Sequence, residues 1–143
     1  MFKLVIILPR LILTSVLISL LMFSCSARGE SFIDYAKAFS YVESSNRVHV
    51  WGDNGKAYGL YQFHIARWME CGGKRSEFGN APAWRQTQIF FTEINRCFDQ
   101  YERKRLWENG ITPTQALATY HNNGSIKGCE TEYVRKIKNR LNR

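Results

Sequence analysis

The sequence predicts a mainly helical domain carrying at most one small β-hairpin, and three observations predict it. Apolar residues recur at steps of three and four over most of the chain beyond residue 30. Ser31 and Thr112 each stand three residues ahead of a carboxyl or amide side chain, the spacing of a helix-opening capping box. A turn-forming cluster, Asp53-Asn54-Gly55, separates two short runs that suit a hairpin, Val48-Trp51 and Lys56-Tyr58. No internal repeat or low-complexity tract interrupts this pattern.

The chain opens on Lys3 and an apolar run from Leu4 to Phe23, broken only by Pro9, Arg10, Thr14, Ser15 and Ser19. Small residues follow at Ser24, Cys25, Ser26 and Ala27. A basic start, an apolar middle and a small-residue exit predict a secretory signal or an N-terminal membrane or lipid anchor over residues 1–27. Cleavage after Ala27 and lipidation at Cys25 are both open, the second less well matched because Met22 and Phe23 precede it. The folded domain is expected over residues 28–143, with the protein exported to the periplasm or cell envelope.

Within that domain, Ser31 and Asp34 open a first helix whose stripe is Phe32, Ala36 and Phe39, flanked by Tyr35 and Val42. A short helix is expected to place Ile65, Trp68 and Met69 on one side and to stop at Gly72-Gly73. Pro82 begins the longest helix, with Trp84, Thr87, Phe91, Ile94, Phe98 and Tyr101 as its apolar stripe and Asn109-Gly110 as its end. Thr112-Pro113-Thr114-Gln115 combines a capping box with Pro at the first helical position. The small residues from Ala116 to Tyr120 then suit close packing. A basic helix near Glu132 to Leu141, with Tyr133, Ile137 and Leu141 inward, closes the chain.

Loss of residues 1–27 takes Lys3 and Arg10 with it and leaves 18 basic against 12 acidic residues, a net charge of +6. Such an excess suits an anionic polymer. Export argues against nucleic acid and favours a cell-wall polymer. Cys71, Cys97 and Cys129 remain, and a bridge between Cys97 and Cys129 is the expected pairing, because Cys71 precedes flexible glycines. No Cys or His spacing calls for a metal, and no cofactor is expected.

Glu43 carries the chemistry. It lies eleven positions after Phe32, which at roughly 100° per residue returns it to within about 20° of the same helix face. Phe32, Ala36, Phe39 and Glu43 therefore share a stripe, so a carboxyl ends an apolar face at a helix C-terminus. Desolvation and the negative helix end both favour the uncharged acid, the form that can donate a proton to a glycosidic oxygen. A solvent-facing glutamate on a fraying last turn is the alternative. Asp53 is the one nearby second carboxylate, and an Asp-Asn-Gly sequence also serves simply as a turn.

Four short words follow one another in the chain: Glu43-Ser44-Ser45-Asn46, Gly59-Leu60-Tyr61-Gln62-Phe63, the run from Ala116 to Gly124, and the run from Glu130 to Ile137. In this order and spacing, residues from about Ser31 to Leu141 resemble the catalytic domain of the soluble lytic transglycosylase family, a lysozyme-like fold related to goose-type lysozyme. The resemblance implies a lyase that cleaves the β-1,4 bond of peptidoglycan glycan strands and leaves 1,6-anhydro ends. It makes Glu43 the sole acid/base, and Ser44, Gln62, Tyr61, Tyr120, Asn122 and Glu130 the substrate-binding residues. Tyr61 stands where the family usually has Met. An extra residue in Tyr120-His121-Asn122-Asn123-Gly124 leaves Tyr120 and His121 competing for one aromatic position, with Tyr120 favoured. A goose-type-lysozyme-like hydrolase using Glu43 and Asp53, and a non-catalytic peptidoglycan-binding module, are the alternatives. Wall turnover, assembly of a secretion or conjugation machine, and passage of a virus through the wall would each employ such a protein.

Overall fold

The first helix, α1 (Phe32–Ser44), starts where its capping box places it. The Ser31 hydroxyl accepts from the Asp34 amide at 3.2 Å, and the Asp34 carboxylate accepts from the Ser31 amide at 3.0 Å. Ser45 turns left-handed and ends the helix. The computed structural model describes residues 29–143. The reading of residues 1–27 as a signal or anchor lies outside the described residues, as does Cys25. Among the described residues no helix is long and apolar enough to cross a membrane.

Beyond α1 the chain forms β1 (Trp51–Gly52), β2 (Ala57–Tyr58), β3 (Phe63–His64), α2 (Ile65–Glu70), α3 (Ala83–Arg103), α4 (Pro113–Asn123) and α5 (Glu132–Leu141), with short 3₁₀ turns between. The fold is mainly helical, with one small antiparallel sheet in the order β1-β2-β3. The third strand is not predicted by the sequence. Phe63 and His64 have no extended β-prone run, and they pair only because Gly59 and Gln62, both left-handed, fold the chain back on β2.

Register sorts the sheet's side chains. Gly52, Ala57 and His64 stand opposite one another on one face, while Trp51, Tyr58 and Phe63 share the other. Tyr58 and Phe63 pack inward with Phe78 and Trp68 while Trp51 lies half exposed against Phe78, and the first group lines a cleft.

Helix α3 runs through the centre, against α1 on one side and α4 on the other. Its buried face is Gln86, Ile89, Phe90, Glu93, Ile94, Cys97 and Tyr101. The expected stripe is therefore rotated. Ile94 and Tyr101 are buried, Phe91 and Phe98 are partly buried against Phe32, and Trp84 is 69% exposed. A helix clasped from two sides buries the sector between its neighbours, whatever the apolar count along one edge. Gln86 can sit there because all its polar atoms are used. It donates to Val48 and Ala81 carbonyls at 3.0 and 2.8 Å and accepts from the Leu60 amide at 2.7 Å, tying the loop ahead of the sheet to α3.

The cysteines differ from expectation: Cys71, Cys97 and Cys129 are all free, the first two buried and the third exposed. Burial pushes the thiols of Cys71 and Cys97 up to about 12, and the Glu93 carboxylate nearby adds to the effect. Of these three, only Cys129 is expected to react rapidly with a soluble thiol reagent in the native protein. Peptide mapping after brief alkylation tests this, and fast labelling of Cys97 or a bridge between any two would contradict it.

Candidate active site

Glu43 ends the inward face of α1 with its side chain 18% exposed, at the back of a cleft of about 510 Å³. One wall is the sheet face made by Gly52, Ala57 and His64, with Asp53 at its rim. Gln62, His121 and Asn122 complete the lining. The cleft thus unites three segments that are distant in sequence.

The Glu43 carboxyl has one hydrogen-bond donor and one imidazole neighbour. The Tyr133 hydroxyl, from the first turn of α5, donates to Oε1 in a short hydrogen bond. Burial, then the charge of Glu43, pushes the Tyr133 phenol well above its ordinary value, so it stays a hydroxyl donor. His121 Nε2 lies 3.6 Å from the same oxygen. It also lies 2.9 Å from the carbonyl of Tyr61, while Nδ1 meets Glu93 Oε2 at 2.6 Å. The His121 side chain is 6% exposed, and the Glu93 side chain is fully buried. Burial by itself pulls the imidazole down. The charge and hydrogen bond of Glu93, then Glu43 and the Tyr61 carbonyl, outweigh it and raise the group from 6.5 to about 8.

Gln62 is placed by backbone strain and two hydrogen bonds. Its φ of 48° is left-handed, and its amide donates to the carbonyls of Gly59 at 2.8 Å and Val50 at 3.3 Å. That leaves Oε1 pressed over Gly52, where an added Cβ would meet it at 2.0 Å. Gly52 is required at this position by the close approach.

The remaining residues expected at the site are divided. Asn122 lines the cleft, exposed, one residue beyond His121. Ser44 is buried and ties the end of α1 to the loop, its hydroxyl 3.0 Å from both the Ser40 and Leu60 carbonyls. Tyr61 lies in the core rather than in the groove. Its ring stacks on Phe90 at 4.2 Å, its hydroxyl meets Thr87 at 3.0 Å, and only its carbonyl turns toward His121. Tyr120 points away from the cleft, beneath the Arg67 guanidinium at 4.6 Å, so His121 and not Tyr120 occupies the position beside Glu43. The helical turn sets Tyr120 and Asn122 about 100° to either side of His121, and the cleft takes in His121 and Asn122 and leaves Tyr120 outside. Glu130 is exposed beyond the cleft. Its bond to Lys138 at 2.8 Å holds its carboxyl below the ordinary range, aided by Gln115.

In the sequence Tyr133 reads only as an inward residue of the last helix, and Glu93 is not singled out. The signal for Glu93 is a carboxylate between Phe90, Ile94 and Cys97 on an otherwise apolar sector. Compared with known proteins, the chain matches no protein-family model, no curated protein and no solved structure.

Proposed function

We propose that this protein cleaves the β-1,4 glycosidic bonds of peptidoglycan glycan strands as a lytic transglycosylase, with Glu43 as its acid/base. The observation that supports it is the Glu43 carboxyl at the back of an open cleft, fixed by the Tyr133 hydroxyl and bordered by polar side chains from three segments. Glu43 in its acid form protonates the glycosidic oxygen as the bond to the anomeric carbon breaks. The resulting carboxylate takes the proton from the sugar's own 6-hydroxyl as that oxygen closes on the anomeric carbon. A 1,6-anhydro ring forms and no water is consumed. The last step is intramolecular, so holding the sugar in place does much of the catalytic work. The excess of positive charge on the chain suits an anionic wall polymer.

One observation favours hydrolysis as a second reading. Asp53 lies on the rim of the same cleft as Glu43, 3.2 Å from His64, where a second carboxylate could direct a water. Product analysis separates the two. A transglycosylase is expected to release 1,6-anhydro-N-acetylmuramic ends, one water lighter than hydrolytic products, and Asp53→Asn is expected to cost less than tenfold in rate. Solvent oxygen in the new muramic ends from labelled water, with severe loss in Asp53→Asn, would establish the hydrolase instead. Binding of glycan strands without any cleavage would reject both.

A further inference from the structure

We propose that His121 is a positioning residue: a buried imidazolium, kept charged by Glu93 and fixed in orientation by the Tyr61 carbonyl, that holds the Glu43 carboxyl in place and balances the negative charge it acquires on giving up its proton. The proposal rests on the reading of Glu43 as proton donor. It is carried by a count of hydrogen-bonding roles. Nδ1 faces a carboxylate oxygen at 2.6 Å, and Nε2 faces a backbone carbonyl at 2.9 Å. A carbonyl only accepts, and an ionised carboxylate only accepts. With Glu93 ionised, both ring nitrogens must therefore carry protons, and the ring is cationic.

The surroundings support that state. His121 occupies the last turn of α4, where the helix's negative end favours a cation. Phe39, Phe63 and Phe90 stand around the ring with planes at 85°, 83° and 90° to it and centroids 5.3 to 5.6 Å away, leaving it little rotational freedom. The charged and titratable groups around it come from every packed element: Glu43 from α1, Glu93 from α3 and Tyr133 from α5, with Arg67 of α2 acting through Glu93. Glu93 Oε1 makes no hydrogen bond among the described residues and has Arg67 Nε at 3.5 Å. Glu93 thus stands between two cations, one facing the cleft and one facing Tyr120, and its buried charge is balanced on both sides. A neutral His121 would turn a lone pair toward one of its two acceptors, so loss of the ring proton is expected to disturb the position of Glu43.

Nitrogen-15 histidine labelling of the full chain reports the ring state directly, the His121 signal being identified by its absence in His121→Gln. The expected result is an imidazolium through neutral pH, titrating near 8 and thus above the ordinary 6.5. The midpoint is expected to fall in Glu93→Gln and, by less, in Glu43→Gln. On peptidoglycan, Glu93→Gln is expected to lower kcat roughly tenfold or more with KM little changed, as displaced catalytic groups do. A ring that is neutral at pH 6.5, a midpoint unmoved in Glu43→Gln, or a loss in Glu93→Gln that falls on KM and not on kcat would overturn the proposal. Should Glu93→Gln not fold, Glu43→Gln decides, because Glu43 borders the cleft and its amide preserves volume. A wild-type chain that cuts no glycan overturns the reading of Glu43 and the positioning role with it. That outcome is distinct from failure of the His121 argument, since the labelled ring would then still titrate as stated.

Discussion

Replacing Glu43 with glutamine is expected to lower the rate of glycan-strand cleavage by about 10²-fold or more while leaving the folded structure intact. The amide has the carboxyl's shape and can still accept the Tyr133 hydroxyl proton, so the end of α1 keeps its place beside α5. It cannot deliver a proton to the glycosidic oxygen. The side chain opens on the cleft, so the change leaves no void in the core. Lytic rate on purified peptidoglycan, read beside the circular dichroism melting curve, checks both halves. Retention of more than about a tenth of wild-type rate would reject Glu43 as the acid, because general acid catalysis ordinarily contributes at least that much.

The second large effect is on stability. Phe39→Ala is expected to cost about 3–5 kcal/mol, the usual range for truncating a fully buried phenylalanine. Phe39 is 0% exposed and stands against Tyr35, Phe90, His121 and Tyr133. Its removal empties the place where α1, α3, α4 and α5 converge. A domain of this size has only about 5–15 kcal/mol of stability in all, so the variant is expected near the edge of folding. Urea unfolding measures the loss, and a cost under about 1 kcal/mol would show that the core can close over the gap. Because the ring touches both His121 and Tyr133, activity under fully folding conditions is also expected to fall, through looser placement of Glu43.

Much of the fold was legible in the chain, for local reasons. The capping boxes at Ser31 and Thr112 form as read, and Pro113 takes the first position of its helix. Such signals are readable because a helix end must satisfy its free amides within three residues. The long helix starts where Pro82 places it, but it stops at Arg103, short of Asn109-Gly110, because Arg105 turns left-handed, and its buried face is rotated by about one position. Trp84 belongs to the predicted stripe and is solvent-exposed, while Gln86 and Glu93 stand outside that stripe and are buried. Polar residues enter a core only when a partner from elsewhere meets them, and periodicity carries no information about partners. Cys97 and Cys129 are not paired for a related reason: the spacing of cysteines along the chain carries no information about the distance between them in the fold.

The sequence by itself determined where the helices begin, that Glu43 closes an apolar helix face, and that the turn-rich segment after it holds a hairpin. Those properties depend on neighbours within one or two turns of the chain. What surrounds Glu43 was decided by the tertiary structure alone. Tyr133 reaches it across 90 residues, and His121 joins Glu93 across 28 and the Tyr61 carbonyl across 60. Which of Tyr120 and His121 stands beside Glu43 is decided by which side of α4 turns to the cleft, and it is His121, not the favoured Tyr120. The physical reason is that these contacts are made by packing helices against one another. Packing fixes which of two adjacent side chains meets a buried carboxylate, whereas the local pattern of the chain is the same for both.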